Sequence, residues 1–250
     1  MPETAFPELS SLSRVRMIMI GTSLSANIGS AARAMKTMGL TQLWLVDPQE
    51  SPQSESALAR ASGADDILQK ARVADSLDDA LSGCQLVLGT SARNRALPWP
   101  MLTPREVPSA MAALPEDAEV AILFGRERSG LTNEELSRCH YHVHIPANPD
   151  YSSLNIAAAV QILAYELRMA ALAGTDAPAA EPQAMARSED LEGYFDHLQS
   201  VLVDIGFADP NNLRQLMIKL RRFYMRAQPE PVELNILRGI VSQTQKTLRR

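Results

Sequence analysis

Three short segments of this 250-residue chain carry the residue types that chemistry on a small polar molecule needs. In residues 124–136, FGRERSGLTNEEL, Gly125 ends an apolar run and Glu127 stands between Arg126 and Arg128. Gly130 then precedes a capping box that pairs Thr132 with Glu135. Without a Cβ, backbone at Gly125 and Gly130 can approach a ligand closely. In residues 146–160, PANPDYSSLNIAAAV, Ser152, Ser153, Leu154 and Asn155 open a long helical pattern. Free backbone N–H groups and short polar side chains at such a helix start can bind a carboxylate or adenosine atoms, and Ser152 or Ser153 can equally cap the helix. In residues 27–39, NIGSAARAMKTMG, Asn27 can cap a helix that Gly39 closes, with Ile28, Ala31, Ala32 and Met35 buried along one face. Arg33 and Lys36 lie on the other face, where an arbitrary arginine is usually just solvated.

In this order the three segments resemble the motifs of the SpoU branch of the SPOUT RNA methyltransferases. Residues 89–106, GTSARNRALPWPMLTPRE, and 234–240, LNILRGI, resemble tRNA-modifying members of that branch. The resemblance implies S-adenosylmethionine as cofactor and methylation of a ribose 2′-hydroxyl. The implied target is the pyrimidine, cytidine or uridine, at nucleotide 32 of the tRNA anticodon loop. For catalysis the resemblance implies Arg33, Asn27, Glu127, Ser153 and Asn155. For the cofactor it implies Thr90, Ser91, Ala92, Gly125, Gly130, Ile145, Ser152, Ser153 and Leu154. A C-terminal trefoil knot and a homodimer with the site near the subunit interface also come with the family. Its arginine has been proposed as the base, but a guanidinium with a pKa above about 12 accepts protons poorly. Arg33 is therefore expected to anchor a phosphate and orient the hydroxyl, and the base stays open. A different tRNA or rRNA nucleotide, or a non-catalytic RNA-binding protein of the same fold, are the alternatives.

Segments so far apart in sequence need a fold to bring them together. Short apolar, β-branched runs at 15–20, 43–46, 85–89, 120–124 and 141–145 read as strands. They alternate with helical patterns at 28–38, 54–61, 77–81, 103–114 and 132–138. The alternation predicts an α/β domain with a mostly parallel sheet and helices on both faces, with the site in strand-end loops along one edge. Ile20-Gly21-Thr22-Ser23 stands where a GxGxxG would follow the first strand, which disfavours a Rossmann dehydrogenase. The expected division is a SPOUT domain over 1–173, an Ala- and Pro-rich linker over 174–188, and a small all-helical tRNA-binding extension over 189–250.

In that extension, helices are predicted at 190–204, 212–226 and 231–248. Leu213, Leu216, Met217, Leu220, Phe223 and Tyr224 repeat at helical spacing and read as a core stripe. Arg214, Lys219, Arg221, Arg222 and Arg226 share the same helix with no acidic residue among them. In a chain of net charge −5, such a concentration reads as a phosphate-binding face, against the alternative of a solvated one. Arg93 and Arg95 stand where they could take RNA phosphates too, and Trp99 either stacks a base or packs between its prolines.

A composition of 46% hydrophobic and 21% charged residues is that of a soluble globular protein, large enough for a sizeable core. Residues 1–16 hold two prolines, two glutamates and no apolar run, unlike a signal or transit peptide, so a cytoplasmic protein is expected. The most apolar stretch, 154–173, is interrupted by Gln161, Glu166 and Arg168 and reads as a core helix, with no membrane partner. Cys84 and Cys139 read as reduced thiols. His140, His142 and His144 alternate along a strand without supporting ligands, so no metal is expected.

Overall fold

The computed structural model describes residues 10–91, 99–173 and 184–248. Seven strands, β1 (Val15–Ile20), β2 (Gln42–Val46), β3 (Arg72–Ala74), β4 (Cys84–Thr90), β5 (Met101–Leu102), β6 (Glu119–Phe124) and β7 (Tyr141–Val143), form one sheet. Its order is β3-β2-β1-β6-β4-β7-β5, and every neighbouring pair is parallel. Around it lie α1 (Ser10–Ser13), α2 (Ser25–Met38), α3 (Glu55–Ala61), α4 (Asp65–Gln69), α5 (Leu77–Leu81), α6 (Val107–Ala112), α7 (Asn133–Ser137) and α8 (Ile156–Ala173). The parallel α/β reading is borne out. The strands are continuous apolar runs because both faces are covered. Met17 and Met19 of β1 pack toward α2, α3 and α8, whereas Ile18 and Ile20 pack toward α5 and α7.

Several boundaries differ from the expectations. The predicted helix over 103–114 divides into a 3-10 turn, Pro104–Glu106, and α6. The sequence reading passed over α4, β3 and β5, none longer than five residues. Helix α8 is apolar and long enough to cross a membrane, yet Val160, Leu163, Ala164 and Leu167 are buried in the core it shares with α2. Two glycines set the α2 packing. A Cβ on Gly29 would stand 2.0 Å from the Ala57 carbonyl oxygen of α3. Gly39 takes a left-handed φ of 85°, its N–H donating to Lys36 and that of Leu40 to Met35, which ends the helix.

Three further helices, α9 (Ser188–Asp204), α10 (Leu213–Ala227) and α11 (Pro231–Leu248), share a separate apolar core around Tyr194, Phe195, Met217, Met225 and Leu234. Phe223, expected in that core, is instead 55% exposed. Residues 174–183 of the expected linker lie outside the described residues. At its end Met185 is buried against the α/β core and Ala186 against the helical one, so these two positions pack.

Candidate active site

The carboxyl ends of β6, β4 and β7 are adjacent in the sheet, and a cleft of about 610 Å³ opens beyond them. Thr90 and Ser91 line it from the end of β4, residues 125–131 from the loop after β6, and Ile145 and residues 151–156 from the segment before α8. A crevice at strand carboxyl ends is where open α/β sheets generally hold ligands. The structure thus brings Thr90, Ser91, Gly125, Glu127, Gly130, Ile145, Ser152, Ser153, Leu154 and Asn155 to one place. Ala92, Arg93 and Arg95 lie outside the described residues.

The loop after β6 closes tightly on itself. Arg126 and Gly130 exchange backbone hydrogen bonds at 3.2 and 2.8 Å, and Gly130 has a left-handed φ of 68°. The returning chain passes so close to Gly125 that a Cβ there would stand 2.1 Å from the Gly130 carbonyl carbon. Arg126 is fixed by Glu135 at 2.9 Å, and Glu135 also completes the capping box with Thr132 at the start of α7.

Glu127, flanked by two arginines, pairs with neither. Its Oε1 accepts from Asn27 Nδ2 at 2.9 Å, and its Oε2 accepts from the Ser23 amide at 3.2 Å and hydroxyl at 3.1 Å. Burial, the largest single influence, opposes its ionisation. The hydrogen bonds from Asn27, its own backbone and Ser23 together outweigh that and hold the carboxyl below the usual glutamate range. Because Asn27 donates to a carboxylate, its Oδ1 is left to accept, and it does so from Asn155 Nδ2 at 3.0 Å. Asn155 Oδ1 in turn accepts from the Ala157 amide at 2.8 Å. One polar chain therefore runs from the loop after β6, through α2, to the start of α8.

Two expectations about these residues are corrected. Asn27 does not cap α2; the helix begins at Ser25 with Leu24 at the cap position, and Asn27 is a buried residue of the first turn. Ser152 and Ser153 precede α8 without capping it, because Asn155 supplies the capping oxygen. Ser23 was missed. Its signal is weak, a serine in the turn after β1 with nothing local to tie it to Glu127.

Arg33 is exposed on α2, makes no hydrogen bond or ion pair among the described residues, and does not line the cleft. Lys36 is committed to Asp66 at 2.7 Å and to the Gly63 carbonyl. Trp99 is packed: its Nε1 donates to the Cys139 carbonyl at 2.8 Å and its ring stacks on His142 at 5.1 Å. Base stacking by Trp99 is thereby ruled out in this arrangement. His140 is buried with its Nδ1 accepting from the Val87 amide, and burial pushes its pKa down to about 4. Among the described residues no group of three His, Cys, Asp or Glu could hold a metal ion.

The basic helix α10 divides in two. Lys219, Arg222 and Arg226 follow i, i+3, i+7 spacing and share one face with exposed Phe223 beside them. Arg214 is exposed, 3.8 Å from Glu134. Arg221 is turned inward, its guanidinium 2.5 Å from Glu192 and stacked 4.5 Å from the Phe195 ring. It cannot meet a phosphate without leaving both, which corrects its assignment to the RNA-facing set.

Residues 14–165 match the SpoU rRNA methylase family. The chain belongs to that family. Residues 189–250 of this SpoU methylase match a second family, the C-terminal domain of the tRNA methyltransferase TrmJ. It is 55% identical to the tRNA (cytidine/uridine-2′-O-)-methyltransferase TrmJ of Pectobacterium atrosepticum, over 94% of this chain and 98% of that one. It is 53% identical to the tRNA (cytidine/uridine/adenosine-2′-O-)-methyltransferase TrmJ of Pseudomonas aeruginosa, over 95% and 96%. The crystal structure of TrmJ from Zymomonas mobilis superposes with a TM-score of 0.81 at 32% identity, covering 92% of this chain and 98% of that one. A probable methylase family protein from Haemophilus influenzae is 47% identical over 95% and 98%, with a TM-score of 0.63. A probable methyltransferase from Bordetella pertussis is 45% identical over 65% and 99%, with a TM-score of 0.61. The resemblance read from the three segments is borne out.

Proposed function

We propose that this SpoU methylase uses S-adenosylmethionine to methylate the ribose 2′-hydroxyl of the pyrimidine, cytidine or uridine, at nucleotide 32 of the tRNA anticodon loop, in the cytoplasm. The observation that carries the reading is the chain Glu127–Asn27–Asn155, which ties three segments together at the rim of one cleft. The cleft residues fit the cofactor. The volume lies within the usual range for small-molecule sites, roughly 300–1,000 Å³. Gly125 and Gly130 let backbone come close, and residues 152–155 offer amides and short polar side chains.

When bound, the cofactor supplies an electrophilic methyl group on a sulfonium. Arg33, an uncommitted cation on α2, anchors an RNA phosphate and so orients the ribose hydroxyl toward the cleft. Asn27 and Asn155 keep fixed amide orientations because Glu127 is ionised. Glu127 itself is a poor proton acceptor, since both its oxygens already accept hydrogen bonds and its carboxyl is held acidic. Lys219, Arg222, Arg226 and Arg214 on α10 meet tRNA phosphates, with the spread of positive charge along one helix in support. The reading includes a trefoil knot in the segment ending in α8, and a homodimer. In support of the dimer, Tyr165, Met169 and Leu172 form an exposed apolar stripe on α8.

Incubation with labelled S-adenosylmethionine and total RNA, followed by mapping of the labelled nucleotide, tests the reading. Label is expected in tRNA at a 2′-O-methylpyrimidine. Label confined to rRNA would replace the acceptor, and RNA binding with no label in any RNA would replace the enzyme with a binding protein.

A further inference from the structure

The C-terminal helices meet the α/β unit through charge. Arg138, at the end of α7, is ion-paired with Asp78 of α5 and stands with its Nε 2.7 Å from Glu192 Oε1 of α9. The same carboxylate oxygen lies 2.5 Å from Arg221 Nη1 of α10. The three inner side chains are only 13%, 18% and 17% exposed, so the cluster sits where water screens it little. Lesser ties flank it: Glu189 accepts from the Gly83 amide at 2.9 Å, and Gln228 donates to the Tyr141 hydroxyl at 3.1 Å. Helix α7 is the one that leaves the cleft loop 125–131, and its first turn holds Arg126 through Glu135. A single short helix therefore touches the cleft loop at one end and Glu192 at the other.

Relatives of similar coverage superpose on this chain to different extents. The Haemophilus structure covers 95% of this chain, yet its TM-score of 0.63 hardly exceeds the 0.61 of the Bordetella structure, which covers 65%. The Zymomonas structure, less identical, superposes at 0.81 over 92%.

We propose that Glu192 is a positioning residue for RNA methylation. By clamping Arg138 and Arg221 it holds the basic face of α10 at one distance and angle from the cofactor cleft within the same chain. The proposal rests on the reading of α10 as the tRNA-binding helix. Phosphate contacts on α10 would then set which ribose reaches the cleft, as a ruler does, and Glu192 would act without touching cofactor or RNA. A neutral residue in its place leaves two guanidiniums facing each other in a poorly solvated seam, where their repulsion favours separation of the two units.

The test uses the full chain carrying Glu192→Gln, with Arg138→Lys as a second variant that keeps the charge and loses the planar fork. Spin labels at Arg60→Cys on α3 and Gln243→Cys on α11 report the distance between units, and the native thiols Cys84 and Cys139 are buried away from the label. One narrow distance distribution is expected for the parent chain and a broad or shifted one for Glu192→Gln. With tRNA, kcat is expected to fall on the order of a hundredfold, the cost of misplacing reactants, with methyl groups appearing at neighbouring nucleotides. Affinities for S-adenosylmethionine and for tRNA should stay within about twofold, since neither site is altered. If the variants keep the narrow distribution, the seam does not hold the units. If the distribution broadens while kcat and the methylated position are unchanged, or if only the KM for tRNA rises, Glu192 is not a positioning residue. If the parent chain methylates no tRNA, the functional reading fails, while the distances still decide whether Glu192 fixes the units. Should Glu192→Gln fail to fold, Arg138→Lys alone decides on the same readouts.

Discussion

The cleft with the neighbouring helix α2, and the seam to the C-terminal helices, each hold a glutamate and an arginine, and they use them in opposite ways. At the seam, Glu192 lies between two guanidiniums, and its charge is consumed in fixing geometry. At the rim, Glu127 accepts from the neutral groups of Asn27, Ser23 and its own backbone, and Arg33 on α2 has no partner among the described residues. Charge left uncompensated in this way can orient neighbouring amides and meet a ligand, whereas paired and buried charge sets shape. The difference separates residues whose loss should cost activity alone from those whose loss should cost stability as well.

Arg33→Ala should have the largest effect, a fall in kcat of roughly 10²–10³-fold, comparable to removing a preorganised electrostatic contact. Unfolding midpoint and S-adenosylmethionine affinity should hardly change, and calorimetry showing a large loss of cofactor binding would move Arg33 into the cleft. The two glutamates should then part. Glu192→Gln is expected to lower stability by roughly 3 kcal/mol in urea unfolding, as breaking a buried pair does. Glu127→Gln should leave stability nearly intact but cost on the order of tenfold in kcat, because a neutral amide no longer dictates the orientation of Asn27. Equal stability losses in both variants would erase the distinction.

His140 gives a pH control outside both regions. Its folded-state value of about 4 lies below the ordinary 6.5, so its contribution is complete above pH 6.5 and is lost as pH falls toward 4. The shift corresponds to about 3 kcal/mol at most. Unfolding of the parent and of His140→Leu at pH 7 and 4.5 should show the difference between them changing by up to that amount. The smallest effect belongs to α10. Neutralising Lys219 and Arg222 should reduce the slope of log affinity for tRNA against log salt by roughly 0.7–0.9 per lost phosphate contact. Arg221→Ala should leave the slope unchanged, and a reduced slope there would return Arg221 to the RNA face.

What the sequence made legible follows from locality. The central strands show themselves as apolar runs because both faces of β1, β4 and β6 are buried. The edge strand β3 has exposed Arg72 and Val73 and carries no such signal. Asn27 was misread because asparagine favours cap positions, and its true partners, Glu127 and Asn155, lie 100 and 128 residues away. The basic residues of α10 could be counted from sequence, but only the packing of α9 beside it turns Arg221 inward and leaves Phe223 exposed. The Glu192 seam, built from residues in three helices, had no local trace at all.

The most direct measurement replaces one atom of the substrate. A tRNA transcript carrying 2′-deoxyribose at nucleotide 32 alone is compared with its all-ribose counterpart in a labelled S-adenosylmethionine assay. One methyl group per all-ribose tRNA and none on the deoxy substrate are expected, with both binding equally well. Undiminished labelling of the deoxy substrate would show that the methyl group goes elsewhere and would contradict the assigned target.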